Sequence, residues 1–329
     1  MESVVFLAIG DSVTDAFITL QDAEVHTDLD HEHQTICMSW GDKIPYESLT
    51  VVPGVGNAAN AAVAAARLGL NTAFVTNIGK DTFGREILET FKKEKLGTTW
   101  VAEHAGIPTN YHFVLSFHSE RTILIKHQQY PYAFPAGIPA PKTVYFSSIA
   151  QGTEAYHDAV ADWLDAHPDI RFAFQPGTFQ MQMGAKRLAR LYRRTDIFFC
   201  NKEEYERILG VTATDLERHE EKLIMAMQQL GPKTCVLTDG RRGIWAREGE
   251  GEVMHIDIFP DPAPAKERTG AGDAFSSTTA AYLTMGYSLR DAMLRGTVNA
   301  AYVVQEIGAQ KGLLSKEELE AKLAAAADR

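Results

Sequence analysis

The sequence is short of several things, and each shortage narrows what the chain can be. Cysteine is scarce: Cys37, Cys200 and Cys235 are the three in 329 residues, far apart and without metal-type spacing. Neither a disulfide framework nor a zinc module is expected, and a reducing compartment is. Positive charge is scarce too, with 32 Lys and Arg against 43 Asp and Glu, a net charge of −11. That balance speaks against nucleic acid and anionic membrane as partners, although a local hole can still bind an anionic substrate. No apolar run is long enough to cross a bilayer. Val4–Ile9 is too short for the core of a secretion signal and follows an acidic residue, so a cytoplasmic protein is expected. Repeats, low-complexity tracts and a clear linker are missing. The turn at Gly54 is not followed by Gly-Lys-Ser/Thr, which excludes a Walker A loop, and it lacks the third glycine of a dinucleotide fingerprint.

What is present is an ordinary globular composition, 45% hydrophobic and 23% charged. Val4–Ile9 reads as a strand buried on both faces. From Phe17 to Pro53 the pattern loosens into alternation, which suggests antiparallel strands outside a main sheet. Asn57–Leu68 is Ala-rich and helical, Thr72–Thr76 is a strand, and Gly84–Lys95 an amphipathic helix. Tyr111–His127 alternates around a polar turn and reads as a hairpin. After Pro141 strands and helices alternate: strand Thr143–Phe146, helix Glu154–Ala166, strand Arg171–Phe174, helix Met181–Tyr192, strand Ile197–Cys200, helices Lys202–Leu209 and Leu216–Leu230, strand Thr234–Leu237. Helices Asp273–Met285 and Leu289–Ile307 follow, the second opened by a capping box of Ser288 and Asp291. A last helix opens on Ser315 and Glu318. The pattern predicts one α/β domain over 1–329: a mostly parallel central sheet covered by helices on both faces. The stretches about 17–50 and 109–127 are candidates for a small β lid.

The chain is organised around Arg268-Thr269-Gly270-Ala271-Gly272-Asp273-Ala274-Phe275. Gly270, Ala271 and Gly272 are expected to present free backbone N–H groups at a helix N-terminus, an anion site. Asp273 beside it suits a general base that takes the proton of an attacking hydroxyl; the plainer alternative is a helix N-cap. Other conspicuous residues also follow predicted strands, where ligands bind in such sheets. Asp11 and Asp15 offer carboxylates to hydroxyl groups. Gly54-Val55-Gly56-Asn57-Ala58-Ala59-Asn60 lets backbone approach a ligand, with Asn57 and Asn60 as amides for hydroxyl recognition. Asn201 and Glu204 share a helical first turn and could organise Mg²⁺ and its waters. Thr238-Asp239-Gly240-Arg241-Arg242-Gly243 has the glycines for approach to a nucleotide. His26, Asp28, Asp30, His31, Glu32 and His33 have metal-ligand chemistry but no fixed spacing; a solvated strand and turn is the competing reading.

These motifs, in this order, resemble the ribokinase/PfkB family of carbohydrate and nucleoside kinases, from Gly10 to Gly312. Thr269–Phe275 is close to that family's C-terminal signature, Gly56–Asn60 to its N-terminal one, Asn201–Glu204 to N-x-x-E and Thr238–Gly243 to T-x-G-x-x-G. Gly308-Ala309-Gln310 matches the stretch after the penultimate helix. The resemblance implies a ribokinase-like three-layer fold with a β lid that often dimerises, and phosphoryl transfer from MgATP to a sugar hydroxyl. Nucleosides and sugar phosphates are rival acceptors, and a catalytically silent ligand sensor is the rival class. It implies Asp273 as base, with Gly270, Ala271 and Gly272 as anion hole. Asn201, Glu204, Thr238, Gly240, Gly243 and Thr297 fall on the MgATP side, Glu204 reaching Mg²⁺ through water or phosphate; Asn299 is the rival to Thr297 if the register slips. Asp15, Gly56, Asn57 and Asn60 face the acceptor. Val55 replaces the first glycine of the usual pair. Glu267 stands where members often carry Asp, a position tied in some of them to a monovalent cation such as K⁺.

Overall fold

The computed structural model describes residues 3–27, 34–118, 120–211 and 219–327. Its centre is a nine-stranded sheet. The order across it is Met254–Ile256, Ile244–Glu248, Thr234–Thr238, Ile197–Asn201, Arg171–Phe174, Thr143–Phe146, Phe6–Ile9, Thr72–Gly79, Val101–His104. Pairing is parallel except at the Ile244 and Met254 edge. The continuous apolar runs explain this: Phe6–Ile9 and Thr143–Phe146 are buried at every position. Neighbouring residues point to opposite faces, so Phe6 and Ala8 enter one core while Leu7 and Ile9 enter the other. Helices Asn57–Arg67, Ala271–Thr284 and Leu289–Val303 cover the first face; Glu154–Asp165, Lys202–Leu209 and His219–Gln229 cover the second.

Two helices differ from expectation by more than a residue or two at their ends; of the expected helix Leu216–Leu230, residues 216–218 lie outside the described residues. Met181–Tyr192 is not one helix but two, Thr178–Met183 and Ala189–Arg194, because Gly184 takes φ 86° and breaks the ladder. The Leu289 helix stops at Val303 rather than Ile307. The carbonyl of Val304 accepts instead from the N–H groups of Lys266 and Glu267, at 2.9 and 3.3 Å, which braces the loop before Gly270. The Ser315–Glu318 capping box is present, with N–H bonds of 2.8 and 3.3 Å.

A second sheet has four strands, in the order Tyr46–Val55, Val13–Leu20, Tyr111–Phe117, Glu120–Leu124. It is mixed rather than antiparallel throughout: Val13–Leu20 pairs antiparallel with Tyr46–Val55 and parallel with Tyr111–Phe117. Its chain is continuous with the first strand of the large sheet through Gly10-Asp11-Ser12. A separate ribbon pairs Glu24–Thr27 with Gln34–Cys37. Of the His/Asp-rich cluster, Asp28, Asp30, His31, Glu32 and His33 lie outside the described residues, and His26 is exposed, 3.3 Å from Glu24. Among the described residues no group of three or more His, Cys, Asp or Glu could hold a metal ion. No helix among them is long and apolar enough to cross a membrane.

Candidate active site

The large sheet delivers its residues at the strands' carboxyl ends: Asp11 after Phe6–Ile9, Gln175 after Arg171–Phe174, Asn201 at the end of its strand, and Thr238 at the end of the next. Above them the Ala271–Thr284 helix begins. Gly270 is its N-cap, at φ 83°. A Cβ there would stand 2.4 Å from the Ala309 Cβ, so both backbone angle and packing demand glycine. The first intrahelical bond runs from Ala274 N–H to the Gly270 carbonyl, at 2.7 Å. The N–H groups of Gly272 and Asp273 precede that ladder.

Asp273 is therefore not the cap. It sits inside the first turn, 7% exposed, and its carboxylate accepts three amide N–H bonds. Asn57 donates to Oδ1 at 2.8 Å, Asn60 to Oδ2 at 2.8 Å and Gln175 to Oδ1 at 3.1 Å. Burial pushes the Asp273 carboxyl above its ordinary value; the Asn60, Asn57 and Gln175 amides and the charge of Arg121 oppose that. The donors are held in turn. Gln310 Nε2 donates to Asn60 Oδ1 at 3.0 Å and to the Gly54 carbonyl at 2.7 Å. The Tyr145 hydroxyl donates to Gln175 Oε1. Arg67 fixes the Gln310 segment, donating to the carbonyls of Gln310 and Leu313 at 2.7 and 2.9 Å while it forks onto Glu94. The sequence expects Asn57 and Asn60 to offer their amides to hydroxyl groups; here those amides are turned to Asp273.

Two clefts flank this turn. One, of about 380 Å³, holds Asp15, Gly56, Asn57, Asn60, Asn201, Glu204, Gly270 and Asp273. The other, of about 250 Å³, holds Gly240, Gly243, Ala271 and Thr297 against apolar Ile244, Phe275, Ala301 and Val304. Thr238, Arg268 and Gly272 line both, so the clefts meet at the start of the helix. A Cβ on Gly272 would meet no protein atom within 4 Å. Packing does not require that glycine; the space it leaves is the junction itself. Asn299 belongs to the packing instead: fully buried, it donates to Thr278 Oγ1 at 2.8 Å and accepts from Leu314 N–H at 2.9 Å.

Asn201 and Glu204 form a reciprocal capping box, with bonds of 2.8 and 2.9 Å. Burial pushes the Glu204 carboxyl up, opposed by the Asn201 N–H and the Cys200 thiol. Asp239 is spent on Arg242, at 2.6 and 2.7 Å.

Several cleft residues escape a motif reading. Gln175 was findable from its position after a strand. His112, Arg121 and His127 were not, because polar residues in alternating strands read as solvent-facing.

Residues 34–316 match the pfkB family carbohydrate kinase family. The ATP-dependent 6-phosphofructokinase of Thermoanaerobacterium thermosaccharolyticum is 26% identical over 77% of this chain and 80% of its own length. The nucleoside kinase of Methanothermobacter thermautotrophicus is also 26% identical, over 78% and 80%. In fold, the chain is similar to a ribokinase of Arabidopsis thaliana, solved with ribose and ATP. The TM-score is 0.80 at 19% identity, covering 98% of this chain and 99% of that one.

Proposed function

The chain belongs to the pfkB family of carbohydrate kinases, phosphotransferases with an alcohol group as acceptor, and from that premise we propose that it transfers the γ-phosphoryl group of ATP to a hydroxyl of a small sugar-type molecule. One observation carries the reading: a largely apolar cleft and a polar one join at Thr238, Arg268 and Gly272, beside a buried carboxylate at a helix N-terminus. In this reading Thr238, Gly240, Gly243 and Thr297 line the nucleotide, and Asp15 and Gly56 the acceptor. Asn57, Asn60 and Gln175 aim Asp273 and favour its carboxylate form against the burial that opposes it.

The residues fit the donor. The space at Gly272 admits phosphate, and the N–H groups of Gly270, Ala271 and Gly272 are available to an anion, Ala271 being engaged only by the Arg268 carbonyl at 3.5 Å. Bound there, MgATP would supply the phosphoryl group and neutralise part of its charge. Glu204, with one carboxylate oxygen committed to Asn201, would hold Mg²⁺ through water or phosphate. Glu267 Oε2 is buried without a hydrogen bond, an oxygen that K⁺ would bond. Asp273 accepts the acceptor's proton as the oxygen attacks, and the helix N-terminus stabilises the charge on the group in transfer.

The small sheet is the lid in this proposal. Its outer face exposes Leu49, Val51, Phe113 and Leu124 at 51, 43, 44 and 52%. We propose that a second copy of the chain covers it, forming a homodimer in the cytoplasm. Phe113→Glu should then convert dimer to monomer in light scattering. Function is tested by coupled ADP release with MgATP over a panel of sugars, nucleosides and sugar phosphates. Acceptor-dependent release that Asp273→Ala abolishes is expected; release with none of them would refute the kinase reading.

A further inference from the structure

The polar cleft has an end that phosphoryl transfer does not use. Four side chains from separate stretches meet there: Asp11, Asp15, His112 and His127. His127 Nδ1 lies 2.8 Å from Asp11 Oδ2, and the Tyr132 hydroxyl donates to Asp11 Oδ1 at 2.8 Å. Phe179 meets the His127 ring edge-on at 5.3 Å, which fixes its plane. His112 Nδ1 lies 3.5 Å from Asp15 Oδ1, and the two imidazoles are 5.2 Å apart.

Both rings thus turn Nδ1 toward a carboxylate. With the proton on that nitrogen, a neutral ring presents Nε2 as a lone-pair acceptor. His112 is 8% exposed, and its Nε2 is buried with no partner; Asp15 Oδ1 is likewise buried without a hydrogen bond. Buried polar atoms are seldom left this way, and each marks where a partner belongs. The Asp15 carboxylate oxygen is an acceptor, and His112 Nε2 is one in the tautomer that turns its Nδ1 proton to Asp15, so the partners they call for are donors. Charge points the same way. The guanidinium in this cleft that the lid strand carries, Arg121, stands 3.8 Å from Glu267, beside the Gly270 turn. An anionic group at the Asp11–Asp15 end would face two carboxylates instead.

We infer that the acceptor is a non-anionic compound with adjacent hydroxyl groups, which donate to His112, His127 and Asp15 at the end remote from the attacked oxygen. The inference rests on the kinase reading for the identity of the cleft, and it narrows three candidate acceptors by rejecting sugar phosphates. A free sugar and the ribose of a nucleoside share this chemistry. His112 and His127 become specificity residues, with Asp11 positioning His127.

Calorimetric titration tests it with binding alone, so the outcome does not depend on turnover. Wild-type protein with a non-hydrolysable ATP analogue is titrated with ribose, fructose and adenosine, then with ribose 5-phosphate and fructose 6-phosphate, and with a broader set of neutral sugars and nucleosides. At least one uncharged compound should bind, and no phosphorylated compound should bind more tightly than its parent. Sugars against adenosine separates the two sources of the diol. His112→Ala and the milder His112→Gln and His127→Gln should each weaken that binding roughly tenfold and leave analogue affinity unchanged. Preferred binding of a phosphorylated member overturns the inference. So does unchanged affinity in variants that melt as wild type, or no uncharged ligand in the whole set. If a sugar binds through His112 while no ADP is ever released, the kinase reading fails and the recognition stands.

Discussion

Asp273→Asn separates what Asp273 does for the fold from what it does for chemistry, and the structure gives a magnitude for each. Were Asp273 a helix cap, asparagine would replace it with little loss. It is instead an acceptor for three amide donors. The introduced amide can turn its oxygen to Asn57 and Gln175, but its NH₂ then faces the Asn60 NH₂. Asn60 cannot simply flip, because its Oδ1 accepts from Gln310 at 3.0 Å. One buried donor is left opposing another, at a cost of about 1–3 kcal/mol. Against that, the variant is relieved of a buried charge, since the Asp273 carboxyl is pushed up by burial. Adding Asn60→Asp to Asp273→Asn restores the pattern. The carboxylate now on the Asn57–Arg67 helix accepts from the introduced amide and from Gln310, while the oxygen of that amide accepts from Asn57 and Gln175. The double variant should melt higher than Asp273→Asn. Neither variant has a base at position 273, so kcat should fall roughly 10²–10⁴-fold in both, about 3–5.5 kcal/mol of barrier. In the wild type, kcat should fall on acidification with a midpoint above the ordinary aspartate value of about 3.9, and that limb should vanish in the variants. The assays are thermal melting, kcat by coupled ADP release, and both dissociation constants. A folded Asp273→Asn protein retaining more than about a tenth of wild-type kcat would refute the base assignment.

The two glycines of the turn should part company: Gly270→Ala, with its Cβ 2.4 Å from Ala309, should lower Tm or yield, whereas Gly272→Ala should fold normally and weaken nucleotide binding by isothermal titration. Asp15→Ala should raise acceptor KM tenfold or more through loss of one or two charged hydrogen bonds, about 1.5–3 kcal/mol each, with ATP KM unchanged; equal acceptor KM would remove Asp15 from the site. Asp81 anchors the approach to the small sheet: burial works against its ionised form, but the Thr109 hydroxyl at 2.6 Å and the Gly84 and Thr109 N–H groups, each at 2.8 Å, outweigh it, so its carboxyl is lowered. A carboxyl lowered on folding adds stability above its unfolded value of about 3.9 and loses it as pH falls through the folded value. Asp81→Asn should therefore lower Tm at neutral pH and soften its fall below about pH 4; a parallel Tm–pH curve would contradict the assignment. Hydrogen exchange across Val13–Leu20 and Tyr111–Phe117 should slow when an acceptor binds, and change confined to the Gly240 and Gly270 turns would argue against a moving lid.

Parts of this molecule are written locally and parts are not. Thr143–Phe146, Arg171–Phe174 and Lys202–Leu209 have the bounds the pattern predicts, because buried parallel strands are continuous apolar runs and capped helices announce their starts. The break at Gly184 is not legible in the pattern, since a lone glycine within a helical period is often tolerated. The length of the Leu289 helix depended on which N–H groups the Val304 carbonyl meets, and those come from residues far back in the chain. The site divides the same way. That Asn57 and Asn60 share a helix face follows from their spacing. That the face looks onto Asp273 does not, because those partners lie 216 and 213 residues away. His112 and His127 carry no motif at all; only convergence on Asp15 and Asp11 makes them conspicuous.

Because successive residues of the large sheet feed separate cores, damage to the two faces should have different phenotypes. Helices Asn57–Arg67, Ala271–Thr284 and Leu289–Val303, which carry Asn60, Asp273 and Thr297, all rest on the core containing Phe6, Phe74 and Tyr145. A cavity opened there, at Phe275 or Ala281, would tilt the supports of the reacting groups as it destabilises the chain. The opposite core, around Tyr156, Leu164 and Met227, underlies helices Glu154–Asp165 and His219–Gln229, which bring no residue to the two clefts. Large-to-small changes there cost about 2–5 kcal/mol, enough to deplete the folded population while each surviving molecule works at its normal rate. In a deep mutational scan the two sides of one sheet would thus separate. One would register in both abundance and specific activity, the other in abundance alone, and the strands between them would alternate residue by residue from one signature to the other.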